Sequence, residues 1–122
     1  MSETLVIPSD ITDKEERYKS LIPQLEALVE GETDSVANLA NVMAGLKFGM
    51  GFFWVGIYIV KGNELVLGPF QGPVACVRIA KGKGVCGACW QTEKSIVLKN
   101  VEEFPGHIAC SAEAKSEIVI PV

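Results

Sequence analysis

Phe52-Phe53-Trp54-Val55-Gly56-Ile57-Tyr58-Ile59-Val60, followed by Lys61-Gly62-Asn63 and then Glu64 to Phe70, is the stretch that decides the fold. Its first arm has the two-residue period of a strand, with Trp54, Gly56 and Tyr58 on one face and Phe53, Val55, Ile57 and Ile59 on the other. Lys61-Gly62-Asn63 makes the turn, and the second arm returns as the other half of a hairpin. The Phe53 face is wholly aliphatic and aromatic, so it is expected to lie against helices. The Trp54 face, with a glycine between two aromatics, reads equally as the floor of a small-molecule pocket and as ordinary half-buried aromatics.

Working back from the hairpin, two helices are expected. The first spans about Thr12 to Val29, with Tyr18, Leu21, Ile22, Leu25, Leu28 and Val29 at helical spacing, Thr12 as cap, and Asp13, Glu15 and Glu16 in the first turn. Pro23 removes a hydrogen bond and crowds the previous turn, so a kink or break near Ile22 is expected. The second starts after Thr33 or Asp34 and runs to about Phe48, with Val36, Leu39, Ala40, Met43 and Leu46 facing inward. Both stripes read as core packing, and Met43 and Met50 as gap fillers. Working forward, short strands are expected at Val77 to Ala80, Ile96 to Lys99 and Glu117 to Val122, with a short helix from about Gly84 to Thr92. Helices before and between short strands give an α+β layer.

The whole chain, 122 residues with 48% hydrophobic residues, reads as one domain able to bury a core without disulfides. A net charge of −4 with dispersed Lys and Arg argues against a nucleic-acid partner. The N-terminus has neither a basic leader region nor a long apolar run, so no membrane is expected and the location is read as cytoplasmic. In that reducing compartment clustered cysteines point to redox or metal chemistry.

All four cysteines (Cys76, Cys86, Cys89, Cys110) and the single histidine, His107, fall between residues 76 and 110. One reading is zinc. Cys86-x-x-Cys89 and His107-x-x-Cys110 offer two close pairs, as a zinc-stabilised structural module requires, although the first pair sits at a helix start and Cys76 is left unused. The other is thiol redox, which needs an accessible cysteine of lowered pKa and a second cysteine to resolve the product. Cys110 is the best nucleophile on this reading: it follows a glycine-containing loop, lies near His107 and opens a short helical turn expected over Ser111 to Lys115. Cys76 and Cys86 flank strand and loop ends. Four unreactive buried cysteines is the bland alternative. Cys86-Gly87-Ala88-Cys89 has the spacing of a thioredoxin motif without the strand and helix order of that fold around it.

Several runs in one order carry a resemblance. Leu67-Gly68-Pro69-Phe70-Gln71-Gly72, Ala75-Cys76-Val77-Arg78-Ile79, Gly82-Lys83-Gly84-Val85-Cys86-Gly87, and Gly106-His107-Ile108-Ala109-Cys110 with Ser116-Glu117-Ile118-Val119 resemble the GAF-domain free methionine-(R)-sulfoxide reductases. The likeness covers about Leu25 to Val122. It implies a GAF-like domain, an antiparallel sheet with helices packed on one face. It implies reduction of free methionine (R)-sulfoxide, in which Cys110 attacks the sulfoxide sulfur, Cys76 closes a disulfide with it, and Cys86 is a third family cysteine with a resolving or attacking role. Glu117 matches a carboxylate that holds substrate, and Trp54 and Tyr58 match residues lining the methionine side-chain pocket. A carboxylic acid in an enclosed pocket is the natural proton source for the departing oxygen.

The resemblance further implies thioredoxin as reductant and no metal or organic cofactor. Cys89 departs from the family pattern and is expected to be able to divert a disulfide. The family's later strand, with two aspartates, and its final helix lie beyond the end of this sequence, so a C-terminally truncated domain is expected, inactive alone and either marginally folded or homo-oligomeric. A GAF module that binds a ligand without catalysis is the rival from another class.

Overall fold

The computed structural model describes residues 4–7, 10–106 and 116–122. In chain order the elements are α1 (Lys14–Val29), α2 (Ser35–Met50), β1 (Val55–Lys61), β2 (Glu64–Gln71), β3 (Arg78–Ala80), α3 (Gly84–Thr92), β4 (Ile96–Leu98), a 3-10 turn (Val101–Glu103) and β5 (Glu117–Val119). This is a mixed α+β arrangement. Among the described residues the strands form a three-stranded sheet in the order β1-β2-β3 and a two-stranded sheet of β4 and β5. β2 and β3 pair antiparallel with Leu65 opposite Ile79, and β4 and β5 pair antiparallel with Val97 opposite Ile118. By compactness the chain divides into Met1–Ile57 with Pro69–Gly72, and Tyr58–Gly68 with Pro73–Val122.

In the first unit, α1 and α2 begin on side-chain caps. Asp13, one residue after the expected Thr12, accepts from the Glu15 N–H, and Asp34 accepts from the Ala37 N–H. α2 ends on Gly51 in the left-handed conformation. The seam between the helices differs from the expected stripe. Val36 is 66% exposed, and the buried positions of α2 are Met43, Gly45 and Gly49. Leu21 and Leu25 of α1 fill the space a side chain would take at those glycines: a Cβ on Gly49 would stand 2.7 Å from Leu21 Cδ2, and one on Gly45 would collide with Leu25. Two glycines four residues apart thus let two leucines four residues apart sit against the α2 backbone, which a hydrophobicity stripe does not reveal. Arg17 ties the ends together, its Nε and Nη2 donating to the Gly49 carbonyl at 3.1 and 2.7 Å and its Nη1 to that of Ile11 at 2.8 Å.

α1 runs through Pro23 without ending. Pro23 and Lys19, the residue whose carbonyl loses its helical partner, both lie on the exposed side, where water can serve that oxygen. The burial of Leu21 and Leu25 on the other side outweighs the lost bond. Ile22, expected inside, is exposed with them.

In the second unit the core is Leu65, Ile79, Val85, Cys89 and Val101. α3 packs on β3 and β5. Its approach to β3 is set by Gly87, where a Cβ would stand 2.6 Å from the Ala80 carbonyl oxygen. The β3–α3 connection is tight, the Gly82 N–H donating to the Gly87 carbonyl and the Lys83 N–H to that of Ala80. On β1 exposure rises toward the hairpin, so Ile59 joins Val60 among the exposed residues, and Phe53 ahead of the strand is 41% exposed. The Phe53 face is therefore exposed at both ends, at Phe53 and at Ile59, and half-buried between them at Val55 and Ile57.

Candidate active site

The second unit brings four of the sequence-predicted residues together. Tyr58 on β1 donates its hydroxyl to the backbone carbonyl of Cys76 at 2.7 Å. Burial, followed by the charges of Cys86 and Glu117, pushes the Tyr58 phenol up to about 12. Cys86 lies on the first turn of α3 and is likewise pushed up to about 12, by burial first, then the Glu117 carboxylate, then Cys89. Glu117, opposite Leu98 in the β4–β5 ladder, is half-buried on β5, against which α3 packs. A phenol, a thiol and a carboxylate thus share one electrostatic neighbourhood beside the Cys76 backbone.

The three described cysteines differ in state. Cys76 is disulfide-bonded, whereas Cys86 and Cys89 are free thiols. Cys89, 3% exposed, is a core residue of α3 whose thiol pKa burial pushes up. His107, Cys110 and the helical turn expected over Ser111 to Lys115 lie outside the described residues. Among the described residues no group of three or more His, Cys, Asp and Glu is placed to hold a metal ion.

Trp54 belongs to the first unit, where its indole stacks on Phe70 with centroids 5.5 Å apart and planes 19° from parallel. The glycine between Trp54 and Tyr58 has a structural purpose. A Cβ at Gly56 would come within 2.5 Å of both the Trp54 ring and Phe70 Cβ, so the stack requires glycine there. Phe70 as the partner of Trp54, and the bond from Tyr58 to the Cys76 backbone, are contacts that sequence reasoning missed. The signal available for the first was Gly56 itself.

No helix of the described residues is long and apolar enough to cross a membrane. No protein-family model matches the chain. Among proteins of known sequence, GAF domain-containing protein A of Dictyostelium discoideum is 58% identical over all of this chain and 77% of its own length. The free methionine-R-sulfoxide reductase of Escherichia coli is 44% identical over 90% of this chain and 67% of its own length. Among solved structures, the free methionine-R-sulfoxide reductase of Neisseria meningitidis in complex with its substrate superimposes with a TM-score of 0.91 at 48% identity, covering 98% of this chain and 72% of that one. Identity of this order over nearly the whole chain, with the same fold, means that the chain belongs to the free methionine-R-sulfoxide reductase family, oxidoreductases built on a GAF domain.

Proposed function

We propose that this protein reduces free methionine (R)-sulfoxide to methionine by thiol chemistry, with Cys110 as attacking residue, Cys76 as resolving residue and a thioredoxin-type dithiol as reductant. The observation that carries the reading is the gathering of Tyr58, Cys86 and Glu117 at Cys76, with Cys76 alone of the three described cysteines disulfide-bonded. The Cys110 thiolate attacks the sulfoxide sulfur where Glu117 holds the substrate, a proton from solvent goes to the oxygen, and methionine leaves while the oxygen remains on Cys110 as sulfenic acid. The Cys76 thiol then displaces water from that sulfenic acid and closes a disulfide. A dithiol reopens it by exchange and is itself oxidised.

Two properties of the other cysteines support this division of labour. Cys86, whose thiol is pushed up to about 12 by burial and then by the Glu117 carboxylate, is held protonated, which disfavours it as attacker. Cys89 is a free thiol buried in the core of α3, where a structural cysteine is inert. Tyr58 and Trp54 are the proposed contacts to the substrate, Trp54 held by its Phe70 stack. Residues 1–122 belong to a single GAF unit, and the chemistry proceeds without metal or organic cofactor.

The test is stereochemical. Full-length protein, including the family's later strand and final helix, is incubated with thioredoxin, thioredoxin reductase and NADPH and supplied separately with free L-methionine (R)-sulfoxide and (S)-sulfoxide, and methionine is quantified. Release from the R form alone is the expected result. No release from either, or equal release from both, contradicts the reading.

A further inference from the structure

Cys76 is where an irregular loop joins the sheet. Residues 72–77 contain no helix or strand, and Gly72, Pro73 and Val74 are exposed. At the next residue the backbone is caught by the sheet, the Val77 carbonyl accepting from the Leu67 N–H at 2.9 Å, ahead of the rung that sets Val66 opposite Arg78. Cys76 itself is caught by a side chain. Tyr58 stands on β1 and β2 lies between β1 and β3, so the phenol reaches past the middle strand to donate its hydroxyl to the Cys76 carbonyl at 2.7 Å.

We propose that Tyr58 is a positioning residue for Cys76, its hydroxyl fixing the Cys76 backbone so that the thiol can close a disulfide, and thereby setting the rate of closure. The proposal rests on the reading of Cys76 as resolving residue. The bond is to a main-chain carbonyl, so what it constrains is the path of the backbone at the thiol-bearing residue. Disulfide closure tolerates little drift, since the two Cβ atoms must come within about 3.5–4.5 Å. A misplacement of about 1 Å in such a reaction costs up to about 10²-fold in rate. The donor is also permanent: burial and then the charges of Cys86 and Glu117 push the phenol up to about 12, so it keeps its proton wherever the thiols react.

The experiment separates closure from attack. Reduced wild-type protein and Tyr58→Phe are mixed with hydrogen peroxide and quenched over time, sulfenic acid being read as its dimedone adduct and disulfide as loss of alkylatable thiol by mass. Peroxide transfers one oxygen to the attacking thiol with release of water, and the Cys76 thiol displaces a second water to form the disulfide. The expected result is closure slowed by about ten-fold or more relative to sulfenic acid formation, with the dimedone adduct accumulating. An unchanged ratio of the two rates overturns the proposal, and so does a parallel change in both, which is what mere loosening of the fold would give. A parallel series with free methionine (R)-sulfoxide in place of peroxide tests the proposed activity independently. If wild type releases no methionine there, that activity falls, while the peroxide series still decides the role of Tyr58.

Discussion

Cys86 on α3 and Glu117 on β5 are electrostatically coupled: the carboxylate is the second cause, after burial, of a thiol pKa pushed up from 9.0 to about 12. Removing the negative charge favours the thiolate, so Glu117→Gln is expected to lower the pKa of Cys86 while leaving it above 9.0, because burial remains. The pH dependence of Cys86 alkylation, followed by peptide mass, measures this. An alkylation profile identical to that of wild type would mean that the two groups do not face each other.

The same protons make stability fall in alkali. Cys86 and Tyr58 titrate near 12 in the folded protein against 9.0 and 10.0 in the open chain. Between those values the folded state holds protons the unfolded state has released, so stability falls as pH rises. Below about pH 8 both groups are protonated in both states and contribute no slope. Urea midpoints are therefore expected to be unaffected by these groups from pH 7 to 8 and to decline from pH 9 to 11, with a shallower decline in Cys86→Ala. A decline as steep in that variant would remove Cys86 from the account.

Gly87→Ala tests how closely α3 must dock. The new Cβ would stand 2.6 Å from the Ala80 oxygen and 3.1 Å from the Gly82 nitrogen, backbone atoms on the connection that already holds α3 by hydrogen bonds. Overpacking of this kind costs about 1–3 kcal/mol and outweighs the helix propensity gained, about 1 kcal/mol. Urea denaturation should show a net loss of stability. At Gly45 the obstruction is the side chain of Leu25 rather than backbone, so Gly45→Ala should be the milder change.

These relationships mark how much the chain discloses before it is folded. α3, the hairpin and, to within a residue or two, the starts of both long helices are legible because periodicity, Gly-Asn turn chemistry and polar caps are local signals, although the cap of α1 is Asp13 rather than Thr12. The α1–α2 seam is not, since Gly45 and Gly49 matter for the space they leave, and a stripe of Val36, Leu39 and Ala40 outscores them on hydrophobicity. Pro23 does not end α1 for a related reason: its cost depends on which side of the helix meets water. In the second unit, the candidates Tyr58, Cys76, Cys86 and Glu117 are recoverable from ordered motifs, but the reach of Tyr58 to the Cys76 carbonyl depends on strand order, which no local pattern encodes. The state of Cys76 against that of Cys86 and Cys89 is likewise a matter of tertiary placement.

Cys89 should be dispensable for turnover. It is a free thiol buried in α3, so Cys89→Ala is expected to leave steady-state methionine release unchanged and to lower stability slightly, as a small cavity does. A marked loss of turnover with the fold intact would make Cys89 part of the redox relay.

The central claim, attack by Cys110 and resolution by Cys76, is tested most directly by single-turnover release of methionine from free methionine (R)-sulfoxide by reduced wild type, Cys76→Ser and Cys110→Ser. Because attack precedes closure, Cys76→Ser should release about one methionine per protein and then stop in the presence of thioredoxin, while Cys110→Ser releases none. Release by Cys110→Ser at the wild-type level, or sustained thioredoxin-dependent turnover by Cys76→Ser, would contradict the account.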